Sequence, residues 1–161
     1  MKTIKYGMAI SFLAGVCCFS SCKTTQVESF YTYETECLGV GLDGSQTLKA
    51  WGEGRNKKEA KEQAMKNAVR DILFKGIHTG KKECGIRPVL LEVNVQEKYE
   101  DYFNSFFQDG GAYMQYVSDE TPKMSKKEKE YNQSQTKLGL VVRVQRAELK
   151  KRMEQDGIIK K

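Results

Sequence analysis

The feature that most constrains the fold of this chain is an apolar stripe that begins just after two glycines. Gly52 and Gly54 end an alternating segment. Asn56 follows them where its side chain can cap a helix, and Glu59 completes a capping-box pattern. Apolar residues then recur on one helical face: Ala60, Ala64, Met65, Ala68, Val69, Ile72 and Leu73. The pattern predicts a strand, then a helix stopped by Gly76, with alanines that let the helix lie close to a sheet.

Hydrophobic patterning elsewhere predicts further strands and two more helices. Strands are expected at residues 34–42, 46–52, 88–95, 112–118 and 138–144, with a tight turn at Asp43-Gly44. Helices are expected at residues 97–108 and 147–155, and a polar loop at residues 119–136. The order ββαβαββα indicates a single α+β domain, with helices packed on one face of a mainly antiparallel sheet.

The N-terminus has the character of an export signal. Lys2 and Lys5 precede an uncharged, mainly apolar run of 14 residues, from 6 to 19. A membrane-spanning helix needs about 20 such residues, so a secretory signal is the better interpretation. The alternative is a buried N-terminal helix. The run disfavours it, because no polar residue interrupts the run to make an amphipathic face.

The segment Phe19-Ser20-Ser21-Cys22 resembles the lipobox of bacterial lipoproteins, although Phe19 stands where leucine is usual. Cys22 is the expected lipidation site, because Cys17 and Cys18 follow less suitable residues. The expected organisation is a signal at residues 1–21, a lipidated tether at 22–33 and a domain at 34–161. The residues after Cys22 include neither an inner-membrane retention aspartate nor an acidic export cluster. This indicates an outer-membrane lipoprotein that faces the periplasm.

Two further cysteines, Cys37 and Cys84, remain in the expected mature chain. In an oxidising compartment they can form a disulfide, which would contribute about 4 kcal/mol by closing a loop of roughly 46 residues. Two separate buried thiols are the alternative, and the sequence leaves the choice open. A zinc site is not expected, because His78 is the single histidine and the chain has no CxxC spacing.

Candidate catalytic features are few, and each has a structural interpretation. Gly52-x-Gly54 stands where a phosphate loop could, but the rest of that motif is missing, so a glycine bulge or tight turn is favoured. His78 has no evident catalytic partner. An aromatic stripe at helical spacing predicts core packing rather than the wall of a ligand site: Tyr99, Tyr102, Phe103, Phe106 and Phe107. The nearby carboxylates of Glu97, Glu100 and Asp101 predict a solvated start of the same helix. No enzymatic activity, cofactor or metal is therefore expected.

Charge argues against a nucleic-acid partner. The chain carries a formal charge of +6, and two of its 27 basic residues lie in the expected signal, which leaves 25 basic and 21 acidic residues, or +4. The basic residues are interspersed with acidic ones, whereas a nucleic-acid interface needs them gathered on one face.

The segment WGEGRNKKEAKEQAMKNAVRDIL resembles the glycine-then-helix core of the domain in the N-terminal part of flagellar assembly T protein and related small envelope lipoproteins. The end of the chain, VVRVQRAELKKRMEQDGI, resembles the closing strand and helix of that domain. RPVLLEVNVQEKYEDYFNSFF is similar to a segment of uncharacterised Bacteroidales lipoproteins. The resemblance implies an α+β envelope domain used in assembly or scaffolding, and it brings no catalytic residues.

These observations predict a lipid-anchored periplasmic envelope protein with a non-enzymatic binding or scaffold role. Its expected partners are the membrane, through the lipid, and another envelope protein. The alternative is a small periplasmic enzyme acting on cell wall or glycan, or a ligand-binding lipoprotein. A deep cleft lined by Tyr99, Tyr102 or His78 with convergent carboxylates would favour that alternative.

Overall fold

A computed structural model describes residues 33–84, 87–122, 129–131 and 136–160. The expected signal, most of the expected tether and Cys22 lie outside these residues. The strands are β1 (Glu36–Val40), β2 (Gln46–Gly54), β3 (Thr79–Gly80), β4 (Val117–Asp119), β5 (Lys129–Tyr131) and β6 (Thr136–Val144). The helices are α1 (Lys57–Arg70), α2 (Val95–Lys98), α3 (Glu100–Phe106) and α4 (Arg146–Gln155). A π-helical turn, Asp71–Lys75, extends α1, and a 3-10 helix, Ala112–Tyr116, precedes β4.

The described strands form one sheet in the order β3-β1-β2-β6-β4, with β5 also paired to β6. Its centre is the long antiparallel pairing of β2 with β6, which runs from Gln46 opposite Val144 to Gly54 opposite Thr136. The fold class is α+β, as predicted. The sheet is mixed rather than purely antiparallel, because the two-residue strand β3 runs parallel to β1.

The start of α1 shows the predicted cap. The Asn56 side chain accepts hydrogen bonds from the backbone N–H groups of Lys58 and Glu59, both at 3.0 Å. The Glu59 carboxylate accepts from the Asn56 side-chain amide at 2.9 Å and from the backbone N–H of Arg55 at 3.1 Å. Hydrogen bonding from the Arg55 side chain lowers the pKa of Glu59. Local chemistry therefore defines where this helix begins.

The contact between α1 and the sheet depends on the absence of two side chains. A Cβ atom at Gly52 would lie 2.2 Å from the backbone of Ala60 and Ala64, and one at Gly54 would lie 2.6 Å from the backbone of Ala60. Leu48 and the small residues of the helix are fully buried beside them. The predicted close approach of an alanine-rich helix to a strand is confirmed.

Residues 88–95 do not form the predicted strand. The backbone N–H groups of Val89 and Leu90 bond to the carbonyls of Ile72 and Leu73 at the end of the π-helical turn, each at 2.9 Å. Those carbonyls lack partners within their own helix. They therefore accept hydrogen bonds from N–H groups that, in a strand, would bond to a neighbouring strand. Among the described residues, the strand that lies between α1 and α2 is the short β3.

Two other predicted elements have different boundaries. The helix expected at residues 97–108 is divided into α2 and α3 at Tyr99, whose backbone is not helical (φ −121°, ψ 40°). Residues 112–116 are 3-10 helical, so only Val117–Asp119 of the strand expected at 112–118 is extended. Within the loop expected at 119–136, residues 129–131 form β5.

The core lies between the helices and the face of the sheet on which α1 packs. It includes the aromatic stripe as predicted, because Phe103, Phe106 and Phe107 are all buried. Phe74 meets Phe103 edge to face, with ring centroids 4.9 Å apart. Every core residue identified in the described chain lies between Cys37 and Ile158. Over the same described residues, no helix combines the length and apolar character needed to cross a bilayer.

Candidate binding surface

One exposed apolar surface of the described chain is the segment of residues 88–97, here called the apolar loop, which includes the start of α2 at Val95. Its inward side chains are Val89, Leu90 and Val95, which are 9%, 5% and 5% exposed. Together with the backbone bonds to the end of the π-helical turn, these side chains fix the loop to the core. The loop is therefore an ordered part of the domain surface.

Two apolar side chains of this loop point into solvent. Leu91 is 69% exposed and Val93 is 83% exposed. Asn94 follows in the left-handed region (φ 61°), where asparagine is tolerated better than most residues, and the chain then turns into α2. Single exposed apolar residues are ordinary on protein surfaces, but two on one fixed loop beside grooves are typical of an interaction site.

Two open grooves flank the apolar loop. The first, of about 310 Å³, lies between Leu90 and Leu91 of the loop and the C-terminal residues Ile158 and Ile159. The second, of about 400 Å³, lies between the same loop and Phe74. The charged residues lining the second groove are Glu92 and Glu97, and those lining the first are Glu92 and Lys160. The surface can therefore accept apolar side chains beside a charged rim, in which Glu92 is paired with Lys98 at 2.5 Å.

The chain entering the apolar loop is held by a disulfide and a side-chain bond. The structure joins Cys37 of β1 to Cys84, with Cα atoms 5.9 Å apart, and both residues are almost fully buried. Arg146 at the start of α4 donates a hydrogen bond of 2.9 Å to the backbone carbonyl of Arg87. The cysteine pair that the sequence left open is thus bonded, and it lies close in sequence to the loop.

His78 lines a very small cavity. A space of about 30 Å³ is lined by residues that include Glu34, Asp71 and His78. The Nε2 atom of His78 lies 3.2 Å from the backbone carbonyl of Lys75. The Asp71 carboxylate accepts a hydrogen bond from the Thr35 hydroxyl. The space beside His78 is therefore much smaller than either groove.

Gly52 and Gly54 do not form a phosphate loop. Both are residues of β2, paired with Leu138 and Thr136 of β6, and both pack against α1. Their position also differs from the bulge or tight turn that was favoured in the sequence analysis. The glycines serve the close contact between strand and helix.

The tyrosines of the aromatic stripe, Tyr99 and Tyr102, are half-buried at the surface of the core. Tyr99 and Tyr102 line neither groove nor the cavity at His78. The Tyr102 hydroxyl donates to Asp156 at 2.5 Å, and burial together with that carboxylate raises the pKa of Tyr102. Asp156 also accepts from Arg152 at 2.6 Å. These contacts join α3 to the end of α4.

The carboxylates at the starts of α2 and α3 lie in solvent, as predicted. Glu97 is in the first turn of α2, and Glu100 and Asp101 are in the first turn of α3. They form no acid–base pair in the structure, although Glu97 lines the second groove. Across the described residues, no group of three metal-ligating side chains is positioned to hold an ion.

The apolar loop was not predicted, because its valines and leucines are also typical of a strand. Two residues carried the contrary signal. Pro88 cannot donate to a ladder and is unusual in a central strand, and Asn94 is a turn-forming residue. If Pro88 and Asn94 mark the two ends of the segment, residues 89–93 are predicted as a short apolar loop.

Comparison of the chain with protein-family models, with curated proteins and with solved structures gives no match.

Proposed function

We propose that this chain is a lipid-anchored protein of the bacterial envelope whose α+β domain binds another envelope protein without catalysing a reaction. The observation that carries the proposal is the apolar loop, which exposes Leu91 and Val93 between two grooves. The lipid anchor is proposed at Cys22, and the proposed location is the periplasmic face of the outer membrane. The proposed mature chain begins at that cysteine.

The geometry supports binding for a physical reason. An exposed apolar side chain gives up stabilisation that burial would provide, about 25 cal/mol for each Å² removed from water. A fixed loop that leaves two such side chains in water can regain this free energy when a partner covers them. Pre-organisation also helps, because the partner does not have to order the loop on binding.

The small cavity at His78 supports a binding role over an enzymatic one. The cleft expected for the alternative function would bring His78 or the tyrosines together with carboxylates around a substrate-sized space. His78 instead faces a space of about 30 Å³, and Tyr102 bonds to Asp156 in a contact between helices.

The anchor is tested by the intact mass of the full chain extracted from membranes. The expected mass corresponds to residues 22–161 with a diacylglyceryl group and palmitate or a similar acyl chain on Cys22. The matched variant Cys22→Ser is expected to remain unprocessed, whereas Cys17→Ser changes only the removed signal. An uncleaved, unacylated chain in the soluble fraction would overturn the anchor.

The binding surface is tested by photo-crosslinking in intact cells. A photo-reactive amino acid replaces Leu91 or Val93, and a control replaces Met114, which is 42% exposed and lines neither groove. The expected result is one protein band, identified by mass spectrometry, that forms from positions 91 and 93 but not from position 114. Equal labelling from all three positions would contradict a specific surface.

A further inference from the structure

We infer that the second groove accepts a cationic, apolar segment of the partner protein, in which aliphatic side chains are followed by lysine or arginine. This inference rests on the proposed function and specifies the chemistry of its partner. The second groove is the one of about 400 Å³ between the apolar loop and Phe74. Its apolar lining favours aliphatic side chains, and the carboxylates of Glu92 and Glu97 favour a positively charged residue beside them.

The first argument is charge complementarity. Glu92 and Glu97 are the charged residues that line the second groove, and both are exposed. Glu100 and Asp101 add two exposed carboxylates on the next helix. Residues 88–101 thus contain four carboxylates and one lysine, Lys98, which forms an ion pair with Glu92 at 2.5 Å. Four negative charges and one positive charge leave this segment with a net formal charge of −3, in a chain whose overall formal charge is +6. An acidic patch on a basic protein attracts a cationic partner and orients it as it approaches.

The second argument is that this chain already places such a segment beside the same loop. Ile158, Ile159 and Lys160 form the far wall of the first groove, opposite Leu90 and Leu91. Ile158 is buried in the core, while Lys160 is exposed and lines the groove together with Glu92. The first groove therefore shows two isoleucines and a lysine packed along this loop. The second groove shares Leu90, Leu91, Glu92 and Val95 with the first.

The same charges disfavour a lipid surface as the occupant. Leu91 and Val93 could in principle enter the boundary of a bilayer, but anionic headgroups would meet the carboxylates of Glu92 and Glu97. Segments that bind anionic membranes carry lysine and arginine around their apolar residues, which is the opposite arrangement. A cationic protein segment satisfies both the apolar lining and the rim.

The test uses the full chain in nanodiscs of zwitterionic phospholipid, with empty nanodiscs as the blank. The probes are two labelled peptides of equal length, one built of repeated Ile-Ile-Lys-Lys units and the other of Ile-Ile-Glu-Glu units. Binding is followed by fluorescence anisotropy. We expect the lysine peptide to bind at least about tenfold more tightly than the glutamate peptide, and its affinity to fall as salt screens the charges.

Variants separate the two parts of the surface. Glu92→Gln combined with Glu97→Gln should weaken binding of the lysine peptide about fivefold, while Glu148→Gln on α4 should leave it unchanged. Leu91→Ser combined with Val93→Ser should weaken it at least about tenfold, and Met114→Ser is the matched control. Circular dichroism of each variant confirms that the fold is retained.

Two results would overturn the inference. One is equal binding of the two peptides. The other is binding to vesicles containing phosphatidylglycerol that depends on Leu91 and Val93, which would assign the surface to lipid. If the peptides fail but photo-crosslinks from positions 91 and 93 persist, the proposed function stands and only the chemistry of the partner is wrong. If both fail, the apolar loop is not a binding surface.

Discussion

Apolar side chains are buried at the contact between α1 and β2, whereas two of them are exposed in the apolar loop. At the first, Ala60 and Ala64 are fully buried and lie so close to Gly52 that a Cβ atom there would overlap the helix backbone. In the second, Leu91 and Val93 remain mostly in solvent on a loop that is itself fixed. The first region holds the domain together, while the second leaves apolar surface for another molecule to cover.

The difference shows that order and burial are separate properties of a segment. Backbone hydrogen bonds to the end of the π-helical turn position the apolar loop, so its side chains need not be buried for it to be ordered. At the contact between α1 and β2, order and burial arise from the same contacts. Mutations should therefore lower stability strongly at one region and weakly at the other.

The largest expected effect is at the disulfide, which links β1 to the segment leading into the apolar loop. Cys84→Ser should lower the free energy of unfolding by about 4 kcal/mol, because it removes the constraint of a 47-residue separation from the unfolded chain. Urea denaturation measures the change. Treating the unmutated chain with dithiothreitol should lower its stability equally. No change on reduction would show that the bond does not stabilise the domain.

A methyl group at the contact between α1 and β2 should have the next largest effect. Gly52→Ala places a Cβ atom 2.2 Å from the backbone of α1, so strand or helix must shift. We expect a loss of about 1–3 kcal/mol in the free energy of unfolding. Gly39→Ala is the control, because its Cβ would meet no atom within 4 Å. Equal stability of the two variants would contradict the close packing.

The cap of α1 should contribute less. Asn56→Ala removes the acceptor for two backbone N–H groups and should cost about 1 kcal/mol. Asn104→Ala, at an exposed position of α3, should change stability little. Thermal unfolding followed by circular dichroism compares the two. A larger loss at Asn104 would show that the cap does not limit the stability of α1.

Acid should remove the contribution of Glu59 to the same helix start. Hydrogen bonding from Arg55 lowers the pKa of Glu59 below its ordinary value of 4.5. The stabilisation is therefore complete above that ordinary value, and it is lost as pH falls through the lowered value in the folded chain. The stability difference between the unmutated chain and Glu59→Gln should shrink in acid. A difference that is constant across this range would exclude the ionised carboxylate as its source.

The smallest effect on stability is expected in the apolar loop. Leu91→Ser and Val93→Ser should each change the free energy of unfolding by less than about 0.5 kcal/mol, because these side chains make little buried contact. Leu90→Ala, one residue away but 5% exposed, should cost more, about 2 kcal/mol. Similar losses at Leu90 and Leu91 would mean that the two faces of the loop do not differ.

The helix α1, its cap and its closeness to the sheet could be predicted because their signals are local. An amide side chain three residues before Glu59, alanines at helical spacing and glycines in the preceding strand each act within a few residues. The α+β class followed from the same patterns. The buried aromatic stripe followed from its helical spacing, although the sequence did not show the break at Tyr99.

The apolar loop was not predictable in the same way, because distant residues decide its conformation. Residues 88–95 are rich in valine and leucine, as in a strand, yet the N–H groups of Val89 and Leu90 bond to the carbonyls of Ile72 and Leu73. The choice between two thiols and a disulfide also required the positions of Cys37 and Cys84, 47 residues apart. The grooves need Phe74 and Ile158, which lie far from the loop in sequence.

The sequence by itself determined the elements whose chemistry is local: the capped helix, its alanine-rich face and the long central strands. Only the tertiary structure decided which apolar side chains of residues 88–95 enter the core and which stay in water. The physical reason is that a backbone donor bonds to whichever unsatisfied acceptor the fold brings near it. Here those acceptors were the carbonyls at the end of a helix, so an apparent strand became an exposed apolar loop.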